Sequence, residues 1–453
     1  MTVYDLIIIG GGPAGYLAAE RASHGGLSTL LFEKRHLGGV CLNEGCIPTK
    51  TLLHSAKLYD HATNGAIYGV TTESVRIDHA AVIARKEKVV KMLTAGVNAK
   101  MKGSKVTVIK EAAVITGKSE NGFTVQAGNK VYDTKRLLLA AGSEAVIPPL
   151  PGINEGLKSE FVVTNREILD RKKLPQKLIV IGGGVVGLEM AAYFAMVGVK
   201  VTVMEMLDKI AGSADGEIAD ILQKELTAKG IDFLLNCKVT NINDSSVEYE
   251  KDGTHTLEAD MVLISAGRRA SSEGLGLESI GVHTERGAVV TDHHLRTNVP
   301  NVYAAGDING KSMLAHTAYR EAEVAVNHML EKRDYMRYDA VPSVIYTSPE
   351  VAGCGETEET AKAKGITFTV KKLPMVYSGR FAAENDGADG LCKLLIETDS
   401  RRLIGAHLIG SYASEVIYGA AMMIESHWQV DDIKEIVFPH PTVSEIIRET
   451  LFA

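Results

Sequence analysis

A pattern that occurs twice limits what this chain of 453 residues can fold into. The apolar run Leu6-Ile-Ile-Ile9 closes on Gly10-Gly-Gly12-Pro13-Ala14-Gly15. A helical stretch follows from Tyr16 to about His24, and a second apolar run, Ser28 to Phe32, ends at Glu33. The same order returns in Leu178-Ile-Val-Ile181, Gly182-Gly-Gly184-Val185-Val186-Gly187, a helix to about Met196, and Val199 to Met204 ending at Glu205. Gly182 follows Gly10, and Glu205 follows Glu33, by the same 172 positions. One G-x-G-x-x-G is weak. Two, each between a strand and a helix and each with an acid at the same distance, point to two βαβ units that bind dinucleotides.

Each copy has the same physics. The first glycine permits a tight turn, the second lets a pyrophosphate approach the backbone, and the third lets helix and strand pack closely. The helix start offers free N–H groups and a positive dipole end to the phosphates. Glu33 and Glu205 are placed to accept hydrogen bonds from a ribose diol. Two sites imply a flavin and a nicotinamide nucleotide. The Glu205 carboxylate repels a 2′-phosphate, so the second site is expected to take NAD rather than NADP, which leaves FAD for the first. Leu137 to Gly142 and Val302 to Asp307 are short apolar strands closing on small residues, and both are expected to return the chain to the first site. Asp307 is then placed for ribityl hydroxyls, although a turn or helix-cap aspartate reads the same way.

The fold class follows as α/β. Three prolines among Pro148-Pro149-Leu150-Pro151 mark a linker. The expected divisions are residues 1–147 for the first part of an FAD domain, 148–267 for an NAD domain, 268–340 for a continuation of the FAD domain, and 341–453 for a C-terminal α+β domain. In that last segment, strand-like runs at Leu391 to Ile396 and Leu403 to Ile409 precede a helix from Ser414 to Ser426.

Charge and composition exclude several classes. A formal net charge of −7 argues against nucleic acid as a partner. The apolar stretch Leu178 to Val203 is long enough to span a bilayer, but Glu189, Lys200, its glycines and its change of period read as a strand followed by a helix, so no membrane association is expected. Met1 to Asp5 carries no basic stretch before an apolar run, so no signal peptide is expected. Five cysteines in a chain this long are too few for a secretory disulfide scaffold, and a cytoplasmic protein with one special pair is the expectation. No cysteine–histidine grouping has zinc-ligand spacing, so no metal is expected.

That pair is Cys41-Leu-Asn-Glu-Gly-Cys46, with Cys46-Ile-Pro48 reading as a helix entry. Thiols this close can form a small-loop disulfide, and a helix start favours a thiolate. Beside a flavin, such a pair can accept two electrons and pass them on. Cys237, Cys354 and Cys392 are scattered singly. A second cluster, Phe438-Pro-His440-Pro-Thr-Val-Ser-Glu445, holds a histidine between two prolines, with a helix expected to begin at Pro441 or Thr442. Glu445 can bond one imidazole nitrogen and leave the other as a base.

With these motifs the chain resembles the pyridine nucleotide–disulfide oxidoreductases over essentially its whole length, and is most similar to members that oxidise dihydrolipoamide with NAD. The resemblance rests on Gly10 to Gly15, Gly38 to Lys50, Gly182 to Glu189, Ala304 to Asp307, Met313-Leu314-Ala315-His316 and His440 to Glu445. It implies that Cys46 is the thiol next to the flavin and Cys41 the thiol exchanging with substrate. It also implies that Lys50 and Glu189 pair beside the flavin on the nicotinamide side, and that His440 is the acid–base group oriented by Glu445. Ala113, Ala141, Gly142 and Met313 to His316 match positions that wrap FAD, and Val239 and Gly267 match positions along NAD. The C-terminal domain would form a homodimer in which His440 serves the partner's disulfide. The implied partner is a lipoyl-bearing carrier protein of a 2-oxoacid dehydrogenase, acetoin or glycine cleavage system. Two residues depart from the family's usual pattern: Glu44 stands where valine is common and Thr49 where serine is frequent. Three alternatives fit part of the pattern: a glutathione-reductase-like enzyme, a flavin diaphorase without a thiol relay, and a structural subunit of a multienzyme complex.

Overall fold

The computed structural model describes residues 2–387 and 389–453. The chain divides into two compact units.

The first unit comprises Met1–Thr51, Ala84–Val146 and Gly267–Arg337. Its centre is a five-stranded parallel sheet in the order Val302–Ala304, Leu137–Leu139, Leu6–Ile9, Thr29–Phe32, Thr107–Ile109. The three middle strands are buried at every position, as continuous apolar runs are in a parallel sheet covered on both faces. The helix Pro13–His24 begins on a proline, whose missing N–H costs nothing in the first turn, and packs against the helix Ala315–Met329. A smaller sheet pairs Ala113–Ser119, Gly122–Ala127 and Lys130–Thr134 antiparallel and adds Val3–Tyr4 in parallel. It shares a core with the main sheet through Phe32, Ile115, Phe123 and Val125.

The second unit comprises Leu52–Ile83, Ile147–Ala266 and Tyr338–Ala453. It holds another five-stranded parallel sheet, ordered Val162–Val163, Met261–Ile264, Lys177–Ile181, Lys200–Met204, Ile231–Leu234. The long apolar run of the sequence resolves here into strand, helix Val185–Met196 and strand. A five-stranded antiparallel sheet runs Ser343–Ile345, Glu350–Gly355, Leu403–Gly410, Leu391–Glu397, Phe368–Pro374. The helices Ala413–Glu425 and Glu445–Phe452 pack on it around Leu394, Ala406, Leu408, Ile417, Ala420 and Ile446. Among the described residues no helix is long and apolar enough to cross a membrane.

The last helix starts at Glu445, not at Pro441 or Thr442. The cause is a turn closed by side chains. Thr442 N–H donates to Glu445 Oε2 (2.8 Å) and Thr442 Oγ1–H donates to the Pro439 carbonyl (2.7 Å). This turn holds Thr442 outside the helix, whose first residue is Glu445.

Candidate functional site

The two glycine turns have the same construction. Gly10 and Gly182 both have φ of +110°, and a Cβ on either would strike a backbone carbonyl, of Ala140 at 2.2 Å and of Ser265 at 2.3 Å respectively. A Cβ on Gly15 or Gly187 would collide with the carbonyl of Gly10 or Gly182 at 1.8 and 2.2 Å. The fold itself therefore demands the first and third glycines. The middle glycine is different. Gly12 (φ −74°) and Gly184 (φ −79°) have conformations open to any residue. An added Cβ would meet only Gly39 Cα at 3.8 Å in the first case and nothing within 4 Å in the second. Packing does not explain these two glycines. Room for the backbone to meet a ligand does. Both helix starts also lack a side-chain cap, which leaves their amides for phosphate oxygens. Val185 and Val186 stand exposed on the second start. These cradles fit one dinucleotide each.

The two acids repeat each other as well. Glu33 Oε2 accepts the Gly11 N–H (2.8 Å) and Oε1 the Arg35 N–H (2.6 Å). Glu205 Oε2 accepts the Gly183 N–H (2.7 Å) and Oε1 the Leu207 N–H (2.9 Å). Each carboxylate thus pins its own glycine turn, a structural duty beyond the ribose contact read from the sequence.

Around the first cradle, Ala141 and Gly142 follow the strand Leu137–Leu139 after one residue, and Gly142 (φ +74°) has open space where a Cβ would point. Asp307 opens a short helical turn, Asp307–Asn309. Ser143 Oγ–H donates to its carboxylate, and Arg268 Nε–H donates to Ser143 Oγ (2.7 Å), so a two-step relay fixes the acid. Met313 is exposed, Leu314 is the residue before the helix Ala315–Met329, and Ala315 and His316 are its first two residues. Ala113 is buried at the start of its strand. In the second unit, Val239 is buried in a cluster with Ile179 and Met204, and Gly267, in the first unit, has φ of +104° and an open side.

Cys41 sits in the short helix Gly39–Glu44, which ends at Gly45, and Cys46 is the first residue of the helix Cys46–Thr63. The two cysteines are partly buried free thiols joined by a hydrogen bond. That bond and burial hold the Cys41 thiol well above the usual range, while the positive charge of Lys50 pulls it down. Lys50 lies one helical turn beyond Cys46, on the same face. Glu189 is buried one turn into its helix, and its Oε1 accepts the Tyr346 N–H (2.9 Å). Lys50 belongs to the first unit and Glu189 to the second.

His440 is 78% exposed and its Nδ1 lies 2.9 Å from Glu445 Oε1. A carboxylate only accepts, so Nδ1 carries the proton and Nε2 presents a lone pair outward. The Thr442 N–H and then the His440 imidazole hold the Glu445 carboxyl below its ordinary value. The His440–Pro441 peptide is cis.

Three groups escaped the sequence reading. Tyr16, on the first glycine-turn helix, shares a hydrogen bond with the Tyr319 hydroxyl and acts electrostatically on both cysteines. A lone hydroxyl in an alanine-rich helix was its only signal. Glu321 is fully buried and accepts from the Gly306 N–H (2.6 Å) and Asn309 Nδ2 (2.9 Å), which shapes the turn carrying Asp307. Arg35 pairs with Glu44 through both terminal guanidinium nitrogens, Nη1 and Nη2. Neither of these last two had a signal in the sequence.

Comparison with known proteins gives a consistent picture. Residues 4–322 match the family model "Pyridine nucleotide-disulphide oxidoreductase", and residues 341–451 match the dimerisation domain of the same family. The chain is similar to the mitochondrial dihydrolipoyl dehydrogenase of Dictyostelium discoideum, at 40% identity over 98% of this chain and 93% of that protein. It is similar to the dihydrolipoyl dehydrogenase of Mycoplasma pneumoniae at 37% identity, over 98% and 97%. Among solved structures it resembles the HOCl-induced flavoprotein disulfide reductase RclA of Escherichia coli, with a TM-score of 0.87, 28% identity and 99% of each chain covered.

Proposed function

The chain belongs to the pyridine nucleotide–disulphide oxidoreductase family, and from that premise we propose the assignment of its residues to the chemistry of a dihydrolipoyl dehydrogenase. The enzyme oxidises dihydrolipoamide to lipoamide and reduces NAD to NADH, with FAD and NAD as cofactors. The observation that carries the assignment is the Cys41–Cys46 thiol pair, with Cys46 at a helix start and Lys50 one turn beyond, in a chain whose two glycine cradles are both open at their middle glycine.

In this assignment His440 Nε2 removes a proton from a dihydrolipoamide thiol. The thiolate attacks Cys41 Sγ of the oxidised pair, forming a mixed disulfide and releasing Cys46 as a thiolate. The second substrate thiol then gives up its proton and attacks the substrate sulfur of the mixed disulfide, so that Cys41 takes one of the two thiol protons and His440 keeps the other. Lipoamide leaves, Cys41 is freed, and two electrons now reside on the cysteine pair. Glu445 holds the imidazole in the tautomer this requires. Lys50 and the helix start favour the thiolate of Cys46. FAD, when bound, carries the electron pair from the thiols to the nicotinamide. Gly10, Gly12, Pro13, Ala14, Gly15, Glu33 and Asp307 hold it. Gly182, Gly184, Val185, Val186, Gly187 and Glu205 hold NAD. The dimerisation domain supports a homodimer, and in this assignment His440 serves the partner's thiols. The thiol donor is a lipoyl group on a carrier protein. A purely structural role would need neither cradle nor thiol pair.

Steady-state assays with dihydrolipoamide and glutathione disulfide, each with NAD(H) and NADP(H), test the assignment. Turnover confined to dihydrolipoamide with NAD is expected. Turnover of glutathione disulfide by NADPH at comparable rates would move the chain to the glutathione-reductase type.

A further inference from the structure

Glu44 introduces a carboxylate into the loop between the redox cysteines, and Arg35 takes it up. Arg35 Nη2 lies 2.8 Å from Glu44 Oε1, and Nη1–H donates to Oε2 (3.3 Å). The carboxylate is largely covered, at 16% exposed, and the arginine is 43% exposed. The Arg35 backbone N–H is itself held by Glu33 Oε1 at 2.6 Å, and Glu33 grips the first glycine turn. A continuous chain of contacts thus runs from that turn to the last residue of the helix carrying Cys41. In that helix, Cys41 and Glu44 are three residues apart, which places them on one face with Cβ atoms about 5–6 Å apart. An anion at a helix C-terminus faces the negative end of the dipole, so an unpaired Glu44 would be unfavourable there and repulsive to a neighbouring thiolate.

We propose that Arg35 and Glu44 form a neutral brace, in which Arg35 is a positioning residue that cancels the Glu44 charge beside Cys41 and ties the Cys41 helix to the strand–turn element of the first cradle. The brace explains how a carboxylate is tolerated between the redox cysteines. The other groups facing the thiols within the first unit are Lys50, on the helix of Cys46, and Tyr16, whose hydroxyl is tied to Tyr319. Burial and the Tyr319 hydrogen bond hold the Tyr16 phenol neutral. The positive charge of Lys50 acts on Cys41 in the direction of the thiolate.

This inference rests on the thiol-pair assignment above, and its test is independent of turnover. FAD-loaded dimer is reduced with dithiothreitol, desalted anaerobically and alkylated with iodoacetamide across a pH series, and the rate at Cys41 is read from peptide masses. Below the thiol pKa the rate follows the thiolate fraction. Arg35→Gln removes this cation from the Glu44 carboxylate and should slow alkylation at neutral pH by about threefold, a figure discounted for the half-exposed arginine. Glu44→Gln uncovers the Arg35 cation and should speed it by about threefold. The double variant should return to the wild-type profile. A brace that merely stiffened the helix would move both single variants in the same direction. Shifts of the same sign, a shift in only one single variant, or no shift overturn the proposal. A failure to turn over dihydrolipoamide would reject the functional assignment and leave this result readable.

Discussion

Replacing Lys393 with methionine should destabilise the second unit by about 3–5 kcal/mol, the usual cost of leaving a buried charge without its partner. Lys393 is 3% exposed and its ammonium meets three carboxylates: Glu358 at 2.7 Å, Asp215 at 2.9 Å and Glu217 at 3.2 Å. Burial alone would lower its pKa, but these partners hold it above the usual lysine range. The loss is not three times one pair. Glu217 keeps Lys372 (2.6 Å) and Glu358 keeps Lys362 (3.1 Å). Asp215, 1% exposed, keeps only its weak cap on the Ile218 N–H (3.4 Å), and its Oδ2 has no hydrogen-bond partner at all. One orphaned anion therefore sets the magnitude. Asp215→Asn leaves Lys393 two carboxylates and should cost about 1–2 kcal/mol. The double variant should lose clearly less than the two single losses added together, because methionine then faces a neutral amide. Trp428, the one tryptophan of the chain, packs on the antiparallel-sheet core of this unit, so its fluorescence reports the unit's unfolding in urea at fixed dimer concentration. A loss below about 1 kcal/mol for Lys393→Met, or additive effects, would refute the reasoning.

Three further outcomes follow from the same structure. Glu205→Arg turns a charge that repels a 2′-phosphate into one that attracts it. The NADP-to-NAD ratio of kcat/KM should rise by roughly tenfold or more, and an unchanged ratio would remove Glu205 from nucleotide selection. Burial holds His79 and His407 below the ordinary histidine value of 6.5. The unfolded chain therefore binds protons that the folded chain refuses, and stability is full above that value and lost as pH falls through the folded values. Wild-type Tm should drop between about pH 7.5 and about pH 5.5, a window clear of carboxylate titration, and a flat Tm would contradict this. If His440 serves the partner subunit, dimers of Cys41→Ser or of His440→Gln are both impaired, while the mixed dimer regains up to about half of wild-type activity at its one intact site. An inactive mixed dimer would place His440 on its own chain's thiols.

What the sequence revealed was local. Both glycine turns, the cysteine pair and the His440–Glu445 pair are short patterns whose spacing carries their chemistry, and the structure forms each within a few residues of its place. The last helix was misplaced because the Glu445 side chain folds back on Thr442, a contact that periodicity cannot register. The groups missed altogether meet across long stretches of chain. Tyr16 and Tyr319 are 303 residues apart, and Lys393 and Asp215 are 178 apart. A buried lysine in the strand Leu391–Glu397 reads in sequence as a solvated position, since only the arrival of Asp215, Glu217 and Glu358 makes its burial affordable. Arg35 and Glu44 lie closer, nine residues apart, but a turn and the Cys41 helix separate them, and no rule of spacing brings them together.

The central claim is that electrons from dihydrolipoamide reach NAD only through Cys41 and Cys46. Its most direct test is the rate of NADH formation from dihydrolipoamide and NAD by FAD-loaded wild-type protein and by Cys41→Ser. NADH-dependent ferricyanide reduction, which needs no thiol, serves as the control for an intact flavin site. The account predicts a loss of about a thousandfold or more in the first reaction with the second retained. A Cys41→Ser protein that forms NADH from dihydrolipoamide at the wild-type rate would contradict it.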